Sequence, residues 1–185
     1  MDPSAELRAI LGSIDVYLFD QLLRGRFDGR ESVLDVGCGG GRNLEYLLRA
    51  GLRVYAVDRD PEAIADVTAL AARLAPGLPS AHFAVADARR LPHEDGSFDA
   101  VVCNALLHFA RDEEEFRAWL DECGRVLAPG GLFFARLCSD IGIEDRVRPP
   151  GDCGRGVRRS GLANHAAERP LISPLAVLER GRLPC

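Results

Sequence analysis

From Ala5 to Leu23, apolar residues recur at spacings of three and four through Leu7, Ile10, Leu11, Ile14, Leu18 and Leu22. This is the period of an amphipathic helix and predicts a single leading helix that ends before Gly25. The pattern then changes to strand, glycine turn and helix: Ser32–Val36 is β-rich, Gly37-Cys38-Gly39-Gly40-Gly41 is a turn, and Arg42–Ala50 returns to helical spacing through Leu44, Leu47 and Leu48. Arg53–Val57 reads as a second strand and Pro61–Leu74 as a helix, with Asp60 as N-cap and Pro61 at the first helical position. His82–Val85 and Phe98–Cys103 are two further strands. Asp112–Leu127 is a helix with Asp112 as cap, acids Glu113 to Glu115 at its positive end, and Phe116, Trp119, Leu120, Cys123 and Val126 on one face. After a turn at Pro129-Gly130-Gly131, Leu132–Leu137 is the fifth strand.

Strands alternating with helices predict a Rossmann-like, doubly wound α/β fold: a mostly parallel sheet with helices on both faces. Such sheets bind ligands beyond the carboxyl ends of their strands, at the switch point. The loops there are 37–41, 58–60, 87–89 and 104–108.

Composition narrows the class. The chain has 185 residues, 47% of them hydrophobic and 28% charged, which suits one soluble domain with one core. No apolar run reaches membrane-spanning length and Met1–Arg8 lacks the features of a secretory leader, so a cytoplasmic protein with no membrane partner is expected. Six cysteines form no CxxC pair, so neither a metal knuckle nor a disulfide framework is expected; they are read as reduced and mostly buried. All 23 basic side chains are arginine, and they are unevenly placed. Residues 1–145 carry 15 arginines against 25 acids, and residues 146–185 carry 8 against 3. A body of charge −10 repels phosphate backbones and disfavours nucleic acid as a partner.

A glycine turn after the first strand lets a ligand approach the backbone. The dinucleotide fingerprint GxGxxG would place a third small residue at position 42, where Arg42 stands; the glycine falls at Gly41 instead. Asp35, two residues before Gly37, would repel a pyrophosphate and attract an ammonium or sulfonium. Asp58, 21 residues after Gly37, is placed to accept ribose hydroxyls. Asp87 ends the third strand, where an adenine amino group could donate to it. Each of these acids has an alternative reading as a helix cap or turn former.

Four segments carry a family likeness: VLDVGCGGGRN at 33–43, YAVDRDPEAI at 55–64, DARRLPHEDGSFDAVVCNALLHF at 87–109 and RVLAPGGLFFARL at 125–137. Together they resemble class I S-adenosylmethionine-dependent methyltransferases of the small, single-domain bacterial type, with a glycine loop similar to the tellurite-resistance branch. The resemblance implies S-adenosyl-L-methionine as cofactor. It also implies a site of Asp35, Gly37, Gly39, Gly41, Asn43, Asp58, Arg59, Asp87, Ala88 and Asn104, and methylation of a small-molecule acceptor. His108 is a candidate proton acceptor, with a helix-start residue packed on Phe109 as the alternative. No metal is implied, and the likeness is silent on the acceptor and on the oligomeric state. Two rival readings are a non-catalytic cofactor-binding module and a methyltransferase remnant inactivated by loss of its C-terminal part; an NAD-dependent reductase is disfavoured by the glycine spacing.

The expected organisation is a lead-in over 1–30, the cofactor-binding domain over 31–140, and a basic Pro/Gly/Arg-rich tail over 141–185. The family's C-terminal antiparallel hairpin is expected to be missing or altered in that tail, whose composition suits disorder or a frame shift near Pro150. Strand five would then keep an unpaired edge.

Overall fold

The computed structural model describes residues 3–137 and the strand 175–179. The expected single leading helix is two: α1 (Pro3–Leu11) and α2 (Val16–Leu23). Gly12 turns the chain at φ +61° against the Glu45 carboxylate. Asp15 then restarts the helix, its carboxylate accepting from the N–H groups of Tyr17 and Leu18 at 3.0 and 3.4 Å. Only α2 packs on the sheet, through Leu18, while Leu7 and Ile10 of α1 stay exposed.

β1 (Ser32–Val36), α3 (Leu44–Arg49), β2 (Arg53–Asp58), α4 (Pro61–Leu74), β3 (Phe83–Val85), β4 (Phe98–Asn104), α5 (Glu113–Val126), β5 (Leu127–Arg136) and β6 (Leu175–Glu179) follow in order. Two caps form as expected: Asp60 accepts from Glu62 N–H, and Asp112 from Glu115 N–H at 2.8 Å. The sheet order is β3-β2-β1-β4-β5-β6, with β1 to β5 parallel, so the chain reverses direction across the sheet between β1 and β4.

β5 starts five residues earlier than its apolar run suggests. Phe98 pairs with Leu127 and Ala100 with Leu132, so the segment holding Pro129-Gly130-Gly131 bulges out between two paired stretches instead of separating helix from strand. The outer edge of β5 also differs from expectation: β6 pairs with it antiparallel, from Leu132↔Glu179 to Arg136↔Leu175. The apolar run Leu175–Leu178 is therefore a strand, and the expected bare edge is corrected. The rest of the tail, with the disorder and frame-shift readings, lies outside the described residues.

Alternation along the strands divides the core into two layers. Val33, Val54, Ala56, Ala100, Val102, Leu132 and Phe134 face Leu18 of α2, the leucines of α3, and Val67 and Ala71 of α4. Leu34, Val36, Val57, Val101, Cys103, Phe133 and Ala135 face Trp119, Cys123 and Val126 of α5. Every residue of β1 is buried, as a central parallel strand covered on both faces requires. Cys38, Cys103 and Cys123 are buried free thiols, as expected; the other three cysteines lie outside the described residues. His82 and His93 are half-buried around Tyr55, with His82 stacked on its ring at 3.8 Å.

Candidate active site

A cleft of about 340 Å³ opens at the carboxyl ends of β1, β2 and β3, within the size range of small-molecule sites. Gly37, at φ +72°, begins its floor and donates its N–H to Val57 O at 2.8 Å. A Cβ there would lie 3.0 Å from the Leu106 side chain, so the segment after β4 closes directly over the turn. Gly41, at φ +77°, lets the turn enter α3 against Val67 and Leu70 of α4.

Asp58 stands at the end of β2 in the cleft wall. It serves both readings of an acid at a strand end: its Oδ2 accepts from Gly39 N–H at 2.9 Å and its Oδ1 from Asp60 N–H at 3.0 Å. Each oxygen keeps a lone pair for a ribose hydroxyl. Asp87 also lines the cleft, but Arg89 folds back on it, donating from its backbone N–H at 2.9 Å and from Nε at 3.0 Å. Those bonds hold the Asp87 carboxyl below its usual range and compete with an adenine amino group for the same lone pairs.

Of the residues expected from sequence, Gly37, Asp58, Arg59, Asp87 and Ala88 line this cleft. Asp35, Gly39, Gly41, Asn43 and Asn104 lie outside its wall. Asp35 is 1% exposed, and its Oδ2 has no partner among the described residues. Burial pushes its carboxyl up to about 7; Asp58 adds to the rise and Arg42 opposes it. Asn43 precedes α3 and accepts from Asp15 N–H at 3.0 Å, so its side chain ties α2 to the glycine turn. Asn104 is buried at the end of β4, both of its amide atoms unpartnered among the described residues. His108 sits in a short 3-10 turn, Leu107–Phe109, its ring centroid 4.3 Å from that of Phe109, which is the packing expected of a helix-start residue. Its Nδ1 is buried without a partner among the described residues, and burial together with Arg136 holds its pKa down, favouring the neutral ring.

Sequence reasoning missed Leu106 and Trp119, which wall the cleft; the periodicity of α5 assigns Trp119 only to core packing. It also missed Asp15 and Arg136. Arg136 Nη1 donates to Asp15 Oδ2 at 2.6 Å across 121 residues of chain. The available signal was the charge itself: Arg136 interrupts the otherwise apolar LFFA-R-L of its strand.

The structure brings together a glycine turn at the switch point, an acid at the end of β2 and, beneath the turn, the buried Asp35 with its Oδ2 unpartnered among the described residues. The residues fit S-adenosylmethionine: Asp58 offers carboxylate lone pairs for ribose, and the orphaned Asp35 Oδ2 marks where positive charge is wanted. This is the class I S-adenosylmethionine-dependent methyltransferase fold.

Residues 34–135 match the family model described as a methyltransferase domain, and the chain belongs to that family. It is 41% identical over 106 residues to a ubiquinone biosynthesis O-methyltransferase of Xanthomonas oryzae pv. oryzae, covering 55% of this chain and 41% of that one. It is 32% identical over 143 residues to the Caulobacter vibrioides protein of the same name, covering 71% and 54%. A solved SAM-dependent methyltransferase from Methanosarcina mazei aligns with TM-score 0.52 and 31% identity, covering 62% of this chain and 56% of that one. The chain thus spans about half the length of the curated relatives it matches.

Proposed function

We propose that this chain transfers a methyl group from S-adenosylmethionine to an oxygen of a small-molecule acceptor. The observation that carries the reading is the cleft at the ends of β1 to β3, with Gly37 as its floor and Asp58 in its wall, adjoining the buried, unpartnered Asp35 carboxylate. When bound, S-adenosylmethionine supplies an electrophilic methyl on a sulfonium. Asp58 holds the ribose, Gly37, Gly39 and Gly41 admit the methionine part, and Ala88 and Leu106 flank the base. Displacement at a sulfonium needs alignment and exclusion of water more than acid or base. Leu106, closing over Gly37, serves the second need.

The names of the relatives support oxygen as the acceptor atom. A hydroxyl needs somewhere to send its proton, and neutral His108, with Nδ1 unpartnered among the described residues, is suited to receive it. The cofactor-binding unit spans 31–140, preceded by the lead-in 1–30 and followed by the tail. Among the described residues no helix is long and apolar enough to cross a membrane. Independently of that, the cytoplasm is the location proposed for the activity.

Isothermal titration of the purified chain with S-adenosylmethionine and, separately, NADH tests this reading. Saturable binding of the first and none of the second is expected. Binding of neither by a folded sample, or of NADH alone, would overturn it.

A further inference from the structure

A chain of alternating charges crosses the cleft. Asp87 and Arg89 stand on the wall that follows β3, and Arg111 and Glu115 on the wall where α5 begins; all of them line the cavity. Arg89 lies between the two carboxylates and holds them unequally. Asp87 receives the Arg89 backbone N–H on Oδ1 at 2.9 Å, Nε on both oxygens at 3.1 and 3.0 Å, and Nη2 on Oδ2. Glu115 Oε1 stands 4.0 Å from Arg89 Nη1, beyond hydrogen-bond reach.

An ionised carboxylate offers about four lone-pair sites. Arg89 alone fills those of Asp87, so an amino group that donates to Asp87 has to displace the guanidinium. The displaced group has little distance to travel, because a second carboxylate already lies beside it. The Glu115 side chain is 11% exposed, against 50% for Arg89. Glu115 Oε2 accepts from the Arg111 backbone N–H at 2.9 Å and from its Nε at 3.0 Å. Oε1, the oxygen facing Arg89 at 4.0 Å, accepts Nη2 of Arg111 at 3.1 Å and keeps a lone pair open among the described residues. The bonds from Arg111 hold the Glu115 carboxyl below its usual range, so it is ionised at neutral pH. Arg59, also in the cleft wall, acts on the Asp87 charge as well and leaves it a cation in reach when Arg89 moves away.

Resting on the methyltransferase reading above, we propose that Arg89 is exchanged between two carboxylates when the cofactor binds: the adenine amino group takes Asp87, and Arg89 turns to Glu115. Glu115 is thereby a positioning residue for the cofactor that acts through Arg89, and Arg89 is the amino group's competitor. A purine without the amino group gains nothing from the exchange and leaves Arg89 on Asp87.

The test is calorimetric titration, at neutral pH, of S-adenosylhomocysteine and of its analogue with hydrogen in place of the 6-amino group. The proteins are the unaltered chain, Arg89→Gln, Glu115→Gln and the double variant. One partly exposed ion pair sets the scale at about two- to fivefold in affinity. Arg89→Gln should bind S-adenosylhomocysteine more tightly and Glu115→Gln more weakly, each by about threefold, and neither should change the affinity of the analogue. Adding Glu115→Gln to Arg89→Gln should have no effect, since no guanidinium remains to be received. Equal losses of both ligands in Glu115→Gln, or the same loss with and without Arg89, would overturn the proposal and leave Glu115 as a support for the start of α5. Weaker binding of S-adenosylhomocysteine by Arg89→Gln would also overturn it, by making Arg89 a direct ligand. The unaltered chain separates the two failures: if it does not bind S-adenosylhomocysteine, the methyltransferase reading falls and takes the proposal with it, whereas binding without the expected pattern refutes the exchange alone.

Discussion

Replacing Asp35 with asparagine should stabilise this protein at alkaline pH while weakening its hold on cofactor. Asp35 lies in the central strand, 1% exposed, and burial pushes its carboxyl up to about 7 from an ordinary 3.8. Between those two values the folded chain holds a proton that the unfolded chain has released, so stability falls as pH rises through that window. A tenfold difference in proton affinity between the folded and unfolded chains is worth about 1.4 kcal/mol, so the ionised carboxylate costs on the order of 4 kcal/mol above pH 7. His93 and His108, whose pKa values are held down by burial, work the other way, adding stability as pH rises towards 6.5.

Subtracting the two proteins isolates Asp35, since both carry the histidines. Urea unfolding at pH 5 and pH 8 is the assay. The stability difference, Asp35→Asn minus unaltered, should shift in the variant's favour by about 2.5 kcal/mol between pH 5, about one unit into the window, and pH 8, beyond its end. Titration of S-adenosylmethionine at pH 8 should show the variant binding at least about tenfold more weakly, having lost the charge opposite the ligand's cations. A variant less stable than its parent at pH 8, or a difference that does not change with pH, would refute the reasoning.

Asp58→Ala removes both the bonds to Gly39 and Asp60 N–H and the acceptor for ribose. It should cost about 1.5 to 3 kcal/mol of cofactor affinity, and an unchanged dissociation constant would take Asp58 out of the site. Gly41→Ala puts a Cβ 2.9 Å from Val67 at φ +77°; a loss of about 1 to 3 kcal/mol in urea unfolding is expected, and a neutral result would show that α4 yields. Asp112→Ala deletes the bond that caps α5 at Glu115 N–H; thermal unfolding should report about 1 kcal/mol lost, with cofactor affinity unchanged because Asp112 is outside the cleft wall.

Much of this protein was fixed by local sequence. Five parallel strands, their helices, the caps at Asp60 and Asp112 and the cleft residues Gly37 and Asp58 follow from periodicity, propensity and motif spacing, because each is decided within a few residues of chain, while Ala88 came only from the family resemblance. What tertiary structure decided depends on residues far apart. The β6 strand is too short to declare itself, and pairs because β5 offers an open row of backbone groups. The leading helix breaks at Gly12, where φ is positive and Glu45 leaves no room for a side chain, and restarts at Asp15, whose N–H donates to Asn43 Oδ1. Asp87 had to be seen beside Arg89 before its competing bonds were evident. The Asp15–Arg136 tie joins residues 121 positions apart, and no period or motif encodes it. Asp35 was legible as an acid near a cation site, but its raised pKa belongs to the burial that α2, α3 and the neighbouring strands impose.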